Sequence, residues 1–289
     1  MADSNQRRSH VGRIVRQQIE LAASPEEVWN AWVRPEQISQ WFVDRAEGDL
    51  EHDRKAVWCW DWFSMRCPFQ VYEVDPGRKI ALGAEAHGGP EGLLEIALAE
   101  ERGKTVVRVA NSGFLDGADW DEEYEGVDSG WTAALCVLKA WLESYGGARE
   151  RRPRVHHFTA IETAFDYAVL QRFYKTAAGL DEWLSTGAQC APQPLSAGGT
   201  VELEVLGLGP LRGRVASVSR TEITFTWPEL RGLLTLKAFR SGPGKRMVGL
   251  HFNSWGLDPA QKPQIAEHLD QACARLAKLA SRQSGLASS

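Results

Sequence analysis

The sequence repeats itself once, with an offset of 142 positions between the two copies. The repeat is visible at three places: Ile19-Glu20 recurs as Ile161-Glu162, Trp41 recurs as Trp183, and segment 111–116 recurs as 253–258. Because matches at the start, middle and end of each copy share one offset, we expect a duplicated domain rather than a solenoid of short repeats. A chain of this kind folds into two similar units.

The length of 289 residues suits two domains of about 140 residues, each large enough to bury its own core. We expect the first domain over 11–146 and the second over 158–284. The segment between them, 147–157, contains Gly147, Pro153 and several arginines. That composition is typical of a linker.

Composition excludes several classes of protein. The net charge of −5 provides no bulk positive field for a phosphate backbone, so nucleic acid is not a predicted partner. The five cysteines lack C-x-x-C spacing, which predicts reduced thiols in the cytoplasm rather than disulfides or a zinc site. No metal and no cofactor is predicted, and the oligomeric state is left open. Because long apolar runs are absent, we expect no membrane association.

Both copies have the same predicted order of elements: one strand, two short helices, a series of strands and one long helix. In the first copy Ser24, Pro25 and Glu27 have the spacing of a capping box with proline at the first helical position. The acidic segment from Asp116 to Asp128 is predicted as a solvated loop, followed by a helix from Ser129 to Ser144. This order predicts an α+β fold, because a long helix across a curved antiparallel sheet buries both apolar surfaces.

Twelve tryptophans are the unusual feature of the composition. Trp58, Trp60 and Trp62 alternate along one predicted strand, so their indoles are expected on one face of the sheet. If that face is concave, they line a cavity; otherwise they form a plain core or an interface between the copies. Trp131 and Leu135 belong to the apolar stripe of the long helix, which serves core packing and also covers any cavity.

Five motifs follow one another in the first half: Ser24-Pro25-Glu26-Glu27-Val28-Trp29, Trp41-Phe42, Val74-Asp75-Pro76, Thr105-Val106-Val107 leading to Asn111-Ser112-Gly113-Phe114, and Gly130-Trp131. In this order they resemble the Aha1-like branch of the START/Bet v 1-like (SRPBCC) superfamily. The second half lacks the Ser-Pro-Glu-Glu start and has Cys273 at the position of Trp131, so its resemblance rests on the repeat. The resemblance implies two tandem helix-grip domains, each a curved antiparallel sheet around a long C-terminal helix.

The resemblance also implies a function. Members of the superfamily bind lipids, polyketides and other hydrophobic small molecules; a few catalyse cyclisation, one group activates the Hsp90 ATPase, and tandem members occur in enediyne biosynthetic clusters. We therefore expect the chain to bind an elongated hydrophobic small molecule, such as a polyene or polyketide-like intermediate of natural-product biosynthesis. We expect one cavity in each domain. A further hypothesis is that the two cavities face each other across the linker and form one long pocket.

The predicted ligand contacts are the large apolar side chains of the sheets and the long helix: Trp41, Trp58, Trp60, Trp62, Tyr72, Phe114, Trp131, Leu135, Trp183, Trp227 and Trp255. Asp61, Asn111 and Asn253 are candidate polar groups for orienting the ligand. No catalytic motif can be assembled from the sequence, so catalytic residues are unknown. Three alternatives are a cyclase-type enzyme using Asp61 or a tyrosine, an enediyne self-resistance protein, and an Hsp90 co-chaperone-like protein.

Overall fold

The computed structural model describes residues 12–84, 93–150, 152–242 and 245–286. Within these ranges the first domain is built from the following elements: β1 Arg13–Leu21, α1 Pro25–Val33, α2 Pro35–Ile38, β2 Arg45–Glu47, β3 Lys55–Trp60, β4 Met65–Asp75, β5 Lys79–Ala84, β6 Leu93–Glu101, β7 Lys104–Phe114, α3 Ala118–Lys139 and α4 Gly147–Glu150. One π-helical turn, Ala140–Ser144, extends α3.

The second domain repeats this order and ends in the second long helix. Its described elements are β8 Val155–Glu162, α5 Tyr167–Lys175, α6 Ala177–Asp181, β9 Ser185–Ala191, β10 Thr200–Val205, β11 Gly209–Val218, β12 Glu222–Trp227, β13 Gly232–Gly242, β14 Lys245–Ser254 and α7 Lys262–Leu286. The segment expected as a linker, 147–157, holds α4 and the first residues of β8. The division of the chain into 11–146 and 158–284 stays a prediction.

The two sheets have the same topology. The strand orders are β1-β7-β6-β5-β4-β3-β2 and β8-β14-β13-β12-β11-β10-β9, and all neighbouring strands are antiparallel. Each domain thus brings its first strand beside its last and places its long helix after the last strand. The predicted α+β fold of two tandem helix-grip domains is confirmed.

The repeated tryptophan has the same structural role in both copies. The indole N–H of Trp41 donates to the carbonyl oxygen of Ala31 at 2.9 Å, and that of Trp183 donates to the carbonyl oxygen of Phe173 at 3.2 Å. Both bonds span ten residues and join the end of the second short helix to the first helix. Because a buried indole N–H needs an acceptor, this bond explains why both copies keep tryptophan there.

In the last strand of each sheet, β7 and β14, residues that are matched by the sequence offset of 142 do not occupy equivalent positions in the sheet. They differ by one residue. Ile19 in β1 pairs with Val107, whereas its counterpart Ile161 in β8 pairs with Val248. Val248 follows Val107 by 141 positions, although the two isoleucines are 142 apart. A shift of one residue moves a side chain to the other face of a sheet.

The two matched asparagines therefore lie on different faces. Oδ1 of Asn111 accepts the indole N–H of Trp131 from the long helix of its own domain, at 3.2 Å. Oδ1 of Asn253 instead accepts from Nε of Arg154 at 2.7 Å, on the face of the second sheet that is turned toward the first domain. The asparagine match indicates a common origin and not a common environment.

The expectation of a solvated loop over 116–128 is wrong, because α3 begins at Ala118. Trp120, Tyr124 and Val127 recur at helical spacing and pack against the core of the first domain. Acidic side chains on the same helix contact cationic partners across the domain boundary, and Glu122 accepts from Arg246 of the second domain at 2.6 Å. Two of the charges that suggested a loop, Glu122 and Glu125, in fact pair with arginines of the second domain.

The helix α3 lies between the sheet of its own domain and the outer face of the second sheet, where it contacts β11, β12 and β13. Two hydrogen bonds near this boundary also join the domains: the hydroxyl of Tyr145 donates to the carbonyl oxygen of Gly232 at 3.2 Å, and the indole of Trp255 donates to that of Gln40 at 3.0 Å. The domains thus form one packed body. None of the helices in the described ranges has the length and apolar composition needed to span a bilayer.

Candidate functional site

A cavity of about 400 Å³ lies between the two domains. One side is formed by α3 and by aromatic side chains from the turn between α2 and β2, from the end of β3 and from the turn that follows β3. The other side is the outer face of the second sheet. The aromatic side chains that line the cavity are Trp41, Phe42, Trp60, Trp62, Phe63, Trp131, Phe158 and Phe239. We call this space the interdomain cavity.

The floor of the interdomain cavity follows from strand pairing. Thr235 of β13 is the cross-strand partner of His251 in β14, which in turn is the partner of Phe158 in β8. Lys237 and Phe239 lie two and four residues after Thr235, so they lie on the same face of the sheet. The face of the second sheet that is turned away from α7 therefore presents a row of mixed aromatic and polar side chains to the first domain.

The walls are rings in direct contact. Phe42 stacks on Trp131 of α3 with ring centres 5.1 Å apart and meets Trp60 edge to face at 5.6 Å. Trp62 reaches across the boundary to Phe158 of the second domain, at 4.8 Å. Such offset and edge-to-face contacts stabilise an aromatic cluster beyond its buried area alone, and the cluster closes the cavity on the side of the first domain.

Small residues of α3 leave room for the cavity. Gly126, Gly130 and Ala133 lie on the side of the helix that faces the second domain, and all three line the cavity. Larger side chains at these positions would fill the space between the helix and the second sheet. The helix thus packs on its own sheet through bulky residues and faces the neighbouring domain through small ones.

A pair of oppositely charged groups lies on the floor. Glu222 is 5% exposed, and its carboxylate accepts from Nζ of Lys237 at 2.7 Å. The backbone carbonyl of Lys237 accepts from the hydroxyl of Tyr174 at 2.6 Å. Burial, followed by nearby acidic groups, raises the pKa of Tyr174 well above its usual value, so its hydroxyl stays protonated as a donor.

A second polar group lies at the edge of the cavity. Nε2 of His156 lies 2.7 Å from the carboxylate of Asp44, and Asp44 lines the cavity. Burial lowers the pKa of His156 despite this contact. For Asp44 burial acts in the opposite direction, but the bond to His156 and the charge of Arg154 hold its pKa below the usual value. We therefore describe the pair as an Asp44 carboxylate accepting from a neutral imidazole.

The predicted contact residues are divided between the cavity and the two cores. Trp41, Trp60, Trp62 and Trp131 line the interdomain cavity. Among the described residues, three other predicted contacts of the first domain are buried in its core and are not part of the lining: Trp58, Phe114 and Leu135. The strand β3 ends at Trp60, so Trp62 lies in the following turn rather than on a strand with Trp58.

Four further predicted contacts lie elsewhere in the described structure. Tyr72 is 55% exposed on the outer face of the first sheet. Trp183 and Trp227 are fully buried in the core of the second domain. Trp255 packs into the core of the first domain and stacks on Tyr145 at 5.4 Å. These four residues are not part of the lining of the described cavity, which lies between the domains, so their contact with a ligand stays a prediction.

Sequence reasoning missed the floor of the cavity. Phe158, Phe239 and His251 were not predicted, although all three line it. Alternation of polar and apolar residues along β13 indicates only that one face is half-exposed. The candidate Asp61 is exposed and accepts from Arg45 at 3.0 Å, outside the lining.

Two polar clusters lie outside the cavity. A groove between α3 and α5 is lined by Arg13, Arg220 and Arg246 together with acidic residues of α3. Two of these arginines are engaged across the domain boundary, since Arg220 pairs with Glu125 and Arg246 with Glu122, whereas Arg13 pairs with Asp121 of its own domain. Asp49, Glu51 and His52 also lie close enough together for a metal ion, but Arg34 contacts both carboxylates and offsets one of their two negative charges.

Comparison with known proteins gives one family match and several similar solved structures. Residues 22–143 match the family described as Activator of Hsp90 ATPase homolog 1-like protein. Similar solved structures include DynU16 from the dynemicin biosynthetic locus, with 17% identity, 92% of this chain and 98% of that chain covered, and a TM-score of 0.40. The di-domain ARO/CYC BexL from the BE-7585A biosynthetic pathway has 12% identity, coverage of 93% and 98%, and a TM-score of 0.42.

Protein MLL2253 from Mesorhizobium loti has 22% identity, and 45% of this chain and 97% of that chain are covered, with a TM-score of 0.41. A search of curated proteins found no match. The family match over residues 22–143 confirms, for the first domain, the Aha1-like resemblance of its motifs.

Proposed function

We propose that the protein binds a small hydrophobic molecule in the interdomain cavity. The observation that carries the proposal is the combination of a volume of about 400 Å³ with a lining of eight aromatic rings and a few polar groups. Small-molecule sites are typically concave, mainly apolar and several hundred Å³ in volume, with a small number of polar groups that orient the ligand.

The ligand class that we propose is a polyene or polyketide-like intermediate. A conjugated molecule presents flat faces that stack on Phe42, Trp60 and Phe158, and these rings belong to both domains. The setting that we propose is natural-product biosynthesis, with an enediyne pathway as its narrowest form. This setting is supported by the Aha1-like resemblance of the sequence and not by the geometry of the cavity.

The test uses diphenylhexatriene, a neutral elongated polyene whose fluorescence rises in apolar sites. We expect the wild-type protein to bind it with a single site and to show quenching of tryptophan fluorescence. Trp62→Ala removes a ring that lines the cavity and is 39% exposed. Because an aromatic contact contributes about 0.5–1.5 kcal/mol, this variant should bind the probe roughly two- to tenfold more weakly.

The matched control is Tyr72→Ala. Tyr72 is also a large exposed aromatic residue, at 55%, but it lies on the outer face of the first sheet. We expect the affinity of this variant for the probe to equal that of the wild type. Absence of binding to the wild type, or equal weakening in the two variants, would contradict the proposed site.

A further inference from the structure

His251 has a defined hydrogen-bonding state on the cavity floor. Its Nε2 lies 3.3 Å from Nη2 of Arg154. A guanidinium group has only donors, so Nε2 of His251 must accept in this contact. A neutral imidazole with an accepting Nε2 carries its proton on Nδ1. The contact therefore selects one of the two tautomers.

Arg154 is held in place by both domains. Its Nε donates to Oδ1 of Asn253 at 2.7 Å, and its Nη1 donates to the backbone carbonyl of Val43 in the first domain at 2.9 Å. Burial lowers the pKa of Arg154 to about 10, so the guanidinium remains charged at neutral pH. Burial, and then the positive charges of Arg154 and Lys237, lower the pKa of His251 well below its usual value. The imidazole is thus neutral.

The other polar groups of the floor are already engaged. The hydroxyl of Thr235 is bonded to that of Thr224 at 3.0 Å, and Lys237 is paired with Glu222. In the described ranges, by contrast, Nδ1 of His251 has no acceptor, and its ring contacts Phe158 at 5.7 Å. Because the ring lines the cavity and its Nε2 is engaged by Arg154, the Nδ1–H is a donor left for a ligand.

We infer that the ligand of the interdomain cavity is a flat conjugated molecule carrying a carbonyl oxygen, which accepts a hydrogen bond from Nδ1–H of His251. The inference rests on the proposed function, since it names the ligand class of the same site. A carbonyl matches a neutral donor surrounded by aromatic rings, because it accepts a hydrogen bond without bringing a charge into an apolar space. Arg154 and Asn253 act as positioning residues, since they orient the imidazole and do not line the cavity among the described residues.

The test compares fluorenone with fluorene by equilibrium dialysis. The two probes are neutral tricyclic molecules of nearly the same shape, and only fluorenone has a carbonyl. A hydrogen bond of ordinary net strength, about 0.5–1.5 kcal/mol, corresponds to roughly two- to tenfold tighter binding of fluorenone by the wild type. In His251→Phe we expect this ratio to fall to about one, with fluorene binding nearly unchanged. His52→Phe replaces a histidine whose side chain is 62% exposed outside the cavity, and it should keep the wild-type ratio.

The outcomes separate the two proposals. Equal binding of both probes by the wild type overturns the hydrogen bond and leaves the cavity as a hydrophobic site. Binding of neither probe overturns the proposed function together with the inference.

Nitrogen NMR of the ¹⁵N-histidine-labelled protein gives a second readout that needs no variant. We expect the protonated nitrogen of His251 to be Nδ1, and protonation at Nε2 would overturn the inference.

Discussion

The two domains share one topology and contribute opposite sides to the same cavity. The first domain supplies its long helix α3 and the aromatic end of its core, whereas the second supplies the outer face of its sheet. The helix side of the second sheet is covered by α7 and packs into the core of the second domain. The comparison shows that two copies with one scaffold can place a cavity at the boundary between them.

The interiors of the two domains differ at one pair of positions that the sequence offset of 142 matches, Trp131 and Cys273. In the first domain Trp131 stacks on Phe42 and continues a series of ring contacts through Trp32 to Trp41, at 6.0 and 4.7 Å. In the second domain the corresponding residue is Cys273, which is fully buried and donates to the carbonyl oxygen of Val248 at 3.4 Å. A large ring on the helix therefore reaches the cavity in one copy, and a small thiol closes the core in the other.

The largest effect is expected from the two equivalent tryptophans. Truncation of a buried tryptophan typically costs about 3–5 kcal/mol, so Trp41→Ala and Trp183→Ala should each lower the free energy of unfolding by that amount. Of these two tryptophans, Trp41 lines the described cavity and Trp183 does not, so only Trp41→Ala should also weaken diphenylhexatriene binding to the folded protein. Urea unfolding and probe titration measure the two quantities. A similar loss of affinity in Trp183→Ala would show that the domains are not as distinct as the structure indicates.

An exchange of residues between the copies sharpens the same comparison. Cys273→Trp inserts an indole into the filled core of the second domain, and overpacking of this kind typically costs about 1–3 kcal/mol. The substitution should lower the melting temperature and leave probe binding unchanged, because Cys273 lies on the helix side of the second sheet and is not among the residues that line the described cavity. Cys273→Ser is the control for loss of the thiol. If Cys273→Trp were as stable as the wild type, the second core would contain an unoccupied space.

The sequence predicted the fold in detail because the fold depends on local patterns. The capping box at Ser24 is present, with Glu27 N–H donating to the serine hydroxyl at 3.3 Å. The series of strands and both long helices were also predicted, although β2 and β9 were missed and the first long helix begins at Ala118 rather than at the expected Ser129. Residues 185–191 form β9 with small and polar side chains, for which strand propensity gives little signal.

The site could be predicted only in part, because burial between domains leaves no periodic signal. Trp60 and Trp131 were found since they are large rings on a strand and a helix of the first domain. Phe239 and His251 lie on a sheet face that would be half-exposed in an isolated domain, and only the neighbouring helix α3 turns that face into a cavity floor. The contrast shows that local sequence encodes each copy, while the space between copies depends on long-range packing.

Acid is expected to destabilise the side of the boundary formed by the second domain. The pKa values of His251 and His156 are lowered in the folded protein, so the unfolded chain binds protons near pH 6.5 that the folded chain does not bind. The contribution of the two histidines to the free energy of unfolding is therefore fully present above about pH 6.5. It falls as the pH decreases toward their pKa values in the folded protein, by at most about 1.4 kcal/mol per pH unit for each histidine. In His251→Phe the free energy of unfolding should depend less steeply on pH between about pH 6.5 and 5. The difference in slope corresponds to the uptake of roughly one proton fewer on unfolding. An unchanged slope would exclude His251 as a source of acid sensitivity.

The smallest effect is expected from the ion pairs that join the domains. Glu122 accepts from Arg246 at 2.6 Å, and Arg246 also donates to the carbonyl oxygen of Phe165 and lies 5.3 Å from the ring of Tyr167. Partly exposed pairs contribute about 0.2–1 kcal/mol. Because Arg246 is already ordered by its other contacts, less side-chain entropy is lost when the pair forms, and Glu122→Gln should cost an amount near the upper end of this range.

The matched control lies within one sheet. Glu101 pairs with Arg108 inside the first domain, and both side chains are about half exposed. We expect Glu101→Gln to change the free energy of unfolding by about 0.2 kcal/mol, near the lower end for exposed pairs. High salt should reduce the difference between the two variants, because it screens the exposed part of the Glu122 pair. Equal effects of the two substitutions at low salt would mean that the acidic side of α3 adds nothing specific to domain packing, and that the aromatic and hydrogen-bonded contacts alone hold the cavity together.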